Sequence, residues 1–363
     1  MISHKAKTKK ESGFSLIELM VALVIGLLLL AGVLNVFVGS RVTYSMQTGL
    51  AKLQENGRFA MSFIADDIRQ AGFRGCSSFS SLTNVVRDAS NAIPSFLNLS
   101  TELEGRNNMD GVTGFNRVPL AGTDVIETKF TDQSNSCDIK DYDRNANTFT
   151  CAANHSYQRG DVLLATDCKH SAIFQQTNDN LTFDSDKIEH DQGGAVTPGN
   201  CTDMLGPTGD DNVSVVPCDA PQPYPFENGS VMKMQSYRYY VSDNNFGEPA
   251  LYRERVLSGT VASAAVTAVR ADELVEGIED MQILYGVDAS LNSNGSANLY
   301  VPYDQVSDPS DIVSVRVSFL VRSIENNLVQ GTQTVQFNGT EQSFNDGFLR
   351  KVFTSTVTLR NPK

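Results

Sequence analysis

Three rhythms of apolar residues succeed one another along the chain. From Leu19 to Val38 nearly every position is apolar, broken only by Gly26, Gly32 and Asn35. At 1.5 Å per residue that run crosses about 30 Å, the thickness of a bilayer's hydrocarbon, so it predicts a membrane-spanning helix. The apolar positions then fall to steps of three and four: Val42, Met46, Leu50, Leu53, Met61, Ile64 and Ile68, with Gly57 holding the register. Lys52, Glu55, Arg58, Asp66, Asp67 and Arg69 fall mostly off that stripe, so the pattern predicts an amphipathic helix with one buried face. No proline interrupts residues 14–72, and Gly72 offers a C-terminal stop. The two segments therefore read as one rod from about residue 14 to 71, on the order of 85 Å long.

The third rhythm has period two. In EDMQILYGVD, Met281, Ile283, Tyr285 and Val287 fall at alternate positions. In DIVSVRVSFLVRS, the residues Val313, Val315, Val317, Phe319 and Val321 do the same. With VMKMQSYRYYVS, PALYRERV and the terminal FLRKVFTSTVTLRN, these predict an antiparallel sheet with one face buried against the amphipathic helix. The expected fold class is therefore α+β: a long N-terminal helix packed on a β-rich head. Residues 73–230 are polar and rich in Asn, Asp, Ser and Gly, with short strands in DVIETKF, GDVLLATDC and SAIFQQ. They are expected to form a loop-rich region. A turn at PQPYPFENG separates it from the sheet region expected over 231–363.

The charge balance, 29 − 42 = −13, disfavours nucleic acid as a partner, because the basic residues cluster only at Lys5, Lys7, Lys9 and Lys10. All six cysteines (Cys76, Cys137, Cys151, Cys168, Cys201 and Cys218) follow the apolar run, and none forms a CxxC pair. In an oxidising compartment they would make three disulfides, with fifteen connectivities open. Proximity in sequence suggests Cys137 with Cys151 and Cys201 with Cys218, leaving Cys76 with Cys168.

Lysines precede the apolar run and no basic residue follows until Arg41, which places the N-terminus in the cytoplasm and the head across the membrane. A secretory signal peptide fits poorly, since the run is long and continues into a helix. Glu18 stands at its start, where a carboxylate is disfavoured, by about 3 kcal/mol at the bilayer centre. In KKESGFSLIELM it is the fifth residue counting from Phe14, behind a basic leader ending in Gly13. This pattern resembles the prepilin signal of type IV pilins and type II secretion pseudopilins. The resemblance implies that prepilin peptidase removes residues 1–13 between Gly13 and Phe14, that Phe14 is N-methylated, and that residues 14–40 form the filament-core helix, with 41–72 continuing into the head. Glu18 would neutralise the new amino terminus of its own or a neighbouring subunit. QAGFRGC, GDVLLATDC, ELVEGIEDMQILYGVD and the terminal TLRN further resemble the PilW family of minor pilins. That family implies a structural subunit, not an enzyme, that primes type IV pilus assembly for adhesion and twitching motility, with DNA uptake as a further role. Its implied partners are other minor pilins, the major pilin, the inner-membrane assembly machinery and a tip adhesin. Its implied location is the inner membrane and then the pilus.

Other chemistries are weaker. His4, His155, His170 and His190 are scattered, and Cys168 with His170 has no second pair at ligand spacing. Asp141, Asp143, Asn145 and Asn147 alternate like a calcium loop, but Ala146 stands at the glycine position and no closing Glu follows. No nucleophile elbow, P-loop or GxGxxG occurs, and no cofactor is expected. Tyr237, Tyr239 and Tyr240 read as strand residues. The competing readings are a J-type pseudopilin and a membrane-anchored periplasmic enzyme.

Overall fold

A computed structural model of the chain describes residues 13, 15–76, 81–88, 90–99, 101–110, 114–152, 155–179, 186–193, 196–207, 218, 222–261, 264–289 and 295–360. The rod is a single 55-residue helix, α1, over Leu16–Gln70. It runs unbroken through Gly32 and Asn35. Gly72, at φ +77°, turns the chain away and donates its N–H to the Lys129 carbonyl. Leu16 through Tyr44 are all exposed, and contact with the head begins only around Gly49.

The buried face of α1 differs from the expected stripe. Val42, Met46 and Leu50 remain exposed. The positions pressed on the head are Gly49, Leu53, Gly57, Ala60, Ile64, Asp67 and Ile68. Close approach explains the small residues: a Cβ at Gly57 would lie 2.5 Å from the Phe353 ring, and one at Gly49 would lie 2.2 Å from Leu328 Cδ1. Asp67, read as solvent-facing, is buried.

Against this face lies a four-stranded antiparallel sheet, ordered Leu299–Val301, Ile278–Val287, Ile312–Arg322, Arg350–Thr358. Met281, Ile283, Tyr285, Val315, Val317, Phe319 and Val357 form a common core with Leu53, Ile64 and Ile68. The alternating residues thus face the helix as the sequence predicts. The region expected to be loop-rich instead contributes to a larger sheet of eleven strands. Its axis is the antiparallel pair Val125–Asp143 and Ser230–Asp243, the latter continuing to Pro249–Val261 and Ala264–Glu276. The sheets therefore part at Gly277, between Glu276 and Ile278, rather than at residue 230. Gly277 belongs to both: its N–H donates to Pro249 O and its carbonyl accepts from Arg322 N–H, each at 2.8 Å.

Candidate assembly site

At its N-terminal end α1 is closed by a reciprocal cap. Ser15 Oγ accepts the Ile17 N–H at 3.3 Å, and Glu18 Oε2 accepts the Ser15 N–H at 3.0 Å. The Glu18 carboxylate thus points back over the first turn, onto the Ser15 N–H. Negative charge there also suits the positive end of the helix dipole. Gly13 lies just outside the helix, and Phe14 lies outside the described residues. Beyond the cap the arm is apolar on every side: Leu16 is 79% exposed, Leu28 69% and Phe37 64%. The helix is long and apolar enough to cross a membrane.

Polar contacts fix the other end of α1 to the head. Tyr239 Oη donates to the Asp67 carboxylate, and Arg253 Nη1 stands 3.6 Å from it. Burial pushes the Asp67 carboxyl up, and the phenol and guanidinium offset that cost in part. Arg253 also lies over the Tyr237 ring, 4.4 Å from its centre. Asn56 Nδ2 donates to the Glu276 carbonyl at 3.0 Å, beside the point where the two sheets part. Of the three tyrosines read from the sequence, buried Tyr239 and half-buried Tyr237 belong to the helix–sheet contact, while Tyr240 is buried in a separate cluster with Met109, Val125 and Tyr252.

The six cysteines form Cys76–Cys168, Cys137–Cys151 and Cys201–Cys218. The first ties the chain just past α1 to the end of the Val162–Thr166 strand. The second joins Val125–Asp143 to Thr148–Cys151. The histidines serve the core of the larger sheet. His170 bonds Ser81 Oγ and the Leu205 carbonyl, at 2.7 and 2.8 Å. His190 meets Tyr142 Oη at 3.0 Å, and burial pulls its pKa down to about 3, so it is neutral at pH 7. His155 stacks on Tyr157, and His4 lies outside the described residues. In the calcium-like loop, Asp143 Oδ1 accepts the N–H groups of Asn145 and Ala146, while Asn147 donates to Asp191 and Asp203. The Asp143 bonds close the turn and those of Asn147 tie it to the segment around 191–203, and no cluster of three ligating side chains occurs among the described residues.

Sequence reasoning missed one group at the junction of the two sheets. Asp124, buried and with no ion pair among the described residues, accepts the Asn108 N–H at 2.8 Å and the Ile283 N–H at 2.7 Å. Burial raises its pKa to about 6. Its place before DVIETKF's apolar residues gave no signal, since Asp commonly opens a strand from a turn.

The arrangement is a capped apolar arm on a rigidly docked head. The family model for type IV pilus-assembly protein W matches residues 238–361, which hold the strand ends beside Asp67, Gly277 and the whole four-stranded sheet. The prokaryotic N-terminal methylation motif matches residues 8–34, spanning Gly13, Phe14 and Glu18. Over residues 238–361 the chain is similar to the PilW family. Its PilW region is the part of the head that carries the arm, and neither match covers residues 35–237. No curated protein and no solved structure matches the chain. The family is of a structural, non-enzymatic kind, and the motif with its apolar helix fits a membrane-anchored pilin.

Proposed function

We propose that this PilW-like pilin is a minor subunit that primes type IV pilus assembly after removal of residues 1–13. The carrying observation is the arm itself: an apolar helix uncovered by the head, with one carboxylate turned onto its first turn. Such a surface is stable in a bilayer and, after extraction, only among similar helices. Residues 14–40 would form the membrane and filament-core segment, with the N-terminus cytoplasmic, the head periplasmic and the disulfides kept by that compartment. Cleavage between Gly13 and Phe14 would give a cation beside Glu18, and the pair would set the axial register of one subunit against the next. Other pilins and the membrane assembly machinery would be its partners. Adhesion, motility and DNA uptake would be properties of the filament rather than of this subunit.

Two variants separate the charge from the cap. Glu18→Gln keeps an acceptor for the Ser15 N–H, because Gln serves in a capping box, but carries no charge. Glu18→Ala removes both. Both are expected to insert and be cleaved normally, and both should fail to enter filaments, since breaking a buried pair costs about 3–5 kcal/mol. Subunit recovery in sheared filaments is the measurement, in a strain lacking the wild-type copy. Normal piliation by both would refute the assembly role. Normal piliation by Glu18→Gln alone would reduce Glu18 to a helix cap.

A further inference from the structure

The four-stranded sheet ends on the Arg350–Thr358 strand, and among the described residues no strand pairs with its outer side. The phase of the ladder fixes which groups face outward. Leu359 donates to the Val313 carbonyl and Ser323 to that of Leu349, so odd-numbered residues bond inward to Ile312–Arg322. The N–H and C=O groups of Arg350, Val352, Thr354, Thr356 and Thr358 therefore point away from the sheet. One of the five is already met. The Gln333 carboxamide donates to the Arg350 carbonyl and accepts the Arg350 N–H, both at 2.8 Å, the two bonds that a paired strand would supply. From Val352 onward the edge continues for about 23 Å.

Beside this edge runs a groove of about 380 Å³ between the strand and α1. Ala65, Met61 and Phe353 give it an apolar lining, and Arg58 and Arg69 stand along its helix side. Arg69 is paired at 2.8 Å with Asp66, which is itself exposed. Lys351 lies over the Phe353 ring, 5.6 Å from its centre. In a chain of net charge −13, three cations along one edge form a local basic strip.

We propose that this edge receives an extended strand from a different pilin-type subunit. Its backbone would pair with Val352, Thr354, Thr356 and Thr358 in line with Gln333. Its alternate side chains would enter the groove, apolar ones over Met61 and Phe353 and acidic ones toward Arg58, Arg69 and Lys351. Backbone pairing supplies the hold and the alternating pockets the selectivity. The other free edge of this sheet, Leu299–Val301, is three residues long and stops at Pro302, too short to serve as that strand in a second copy. The inference rests on the subunit role proposed above.

The test uses the full-length chain in detergent micelles, mixed in turn with each other prepilin-type protein of the same cell, likewise purified. Residue-resolved amide exchange is read along the strand. One mixture is expected to slow exchange at Val352, Thr354, Thr356 and Thr358 at least tenfold, with little change at Lys351, Phe353, Ser355 and Val357. Thr356→Pro deletes an outward N–H and leaves the inward ladder intact. It should weaken that complex tenfold or more, as should Arg58→Glu with Arg69→Glu. If Thr356→Pro does not fold, the exchange pattern and the arginine reversal decide. Protection in no mixture, a complex that leaves the even-numbered amides unprotected, or wild-type binding by the folded Thr356→Pro variant would each overturn the proposal. Protection that grows with this chain's own concentration would overturn the choice of occupant. Normal piliation by the Glu18 variants would refute the assembly role without touching the exchange result.

Discussion

Gly277→Ala places a methyl group where the two sheets share one residue. The backbone there has φ +83°, which costs an L-residue roughly 1–2 kcal/mol. The new Cβ would also lie 2.6 Å from the Arg322 carbonyl oxygen. That atom is backbone, and its own amide is held by the Gly277 carbonyl at 2.8 Å, so it has no rotamer by which to retreat. Overpacking of this kind adds about 1–3 kcal/mol, for a total of roughly 2–5 kcal/mol. Gly247 supplies the control. Its φ is +77°, yet nothing lies within 4 Å of its would-be Cβ, so Gly247→Ala should cost only about 1–2 kcal/mol. Thermal melts of the detergent-solubilised full-length chain, followed by near-ultraviolet circular dichroism, compare the two. At about 2–4 °C per kcal/mol for domains near this size, Gly277→Ala should melt on the order of 10 °C lower and Gly247→Ala about 4 °C lower. Equal shifts would show that the contact with Arg322 carries no cost and that the shared residue is not a joint under constraint.

Asp124 gives the head a pH dependence of defined sign. Its folded pKa of about 6 lies above the unfolded carboxylate value, so its contribution is full below about pH 4 and is lost as pH rises through 6. Because His190 acts oppositely, destabilising as pH falls from about 6.5 toward 3, the measurement is a difference. The stability of Asp124→Asn minus wild type should rise by roughly 2–3 kcal/mol between pH 4 and 7, and a flat difference would refute the assignment. Tyr239→Phe removes the phenol that donates to buried Asp67. It should cost about 1–3 kcal/mol and speed amide exchange in the last turns of α1; an unchanged melt with unchanged exchange would contradict the docking role.

The helix and the smaller sheet were legible because each buries one face only, and a single buried face leaves a period in the sequence. Val315, Val317 and Phe319 alternate because their neighbours Arg316 and Ser318 meet solvent or the sheet's outer face. The larger sheet hid itself by breaking that rule. The Val125–Asp143 strand is buried for its first seven residues in succession, and Glu127, Thr128, Lys129 and Thr131 among them read as surface. Lys129 is fully buried, yet it reaches Glu104 at 3.0 Å and Glu127 at 3.4 Å, while Arg238 bridges Glu127 and Glu254. Apart from Glu127, two residues from Lys129 on the same strand, those partners come from other segments, so the local sequence does not mark the positions as interior. On α1 the error had another origin. Hydrophobicity picks out Val42, Met46 and Leu50, but contact with the head begins only near Gly49 and favours the residues that let it come closest, Gly49, Gly57 and Ala60. At the N-terminus, the Ser15–Glu18 spacing contained the cap, but the eye goes first to the charge inside an apolar run.

The Cys76–Cys168 bond changes how the molecule bears load. Pull applied through the helix would leave α1 at Gln70, six residues before Cys76. With the crosslink closed, force passes directly from Cys76 to Cys168, and the 92-residue span between them is out of line. Extended, that span would measure roughly 300 Å. Stretching a single molecule from its N-terminal arm should therefore release about 360 Å less chain when oxidised than when reduced, about 300 Å of it from this loop and about 60 Å from the separate Cys201–Cys218 loop. Tension entering through α1 would thus cross the head by a short covalent route, with the strands and loops between Cys76 and Cys168 out of the line of load.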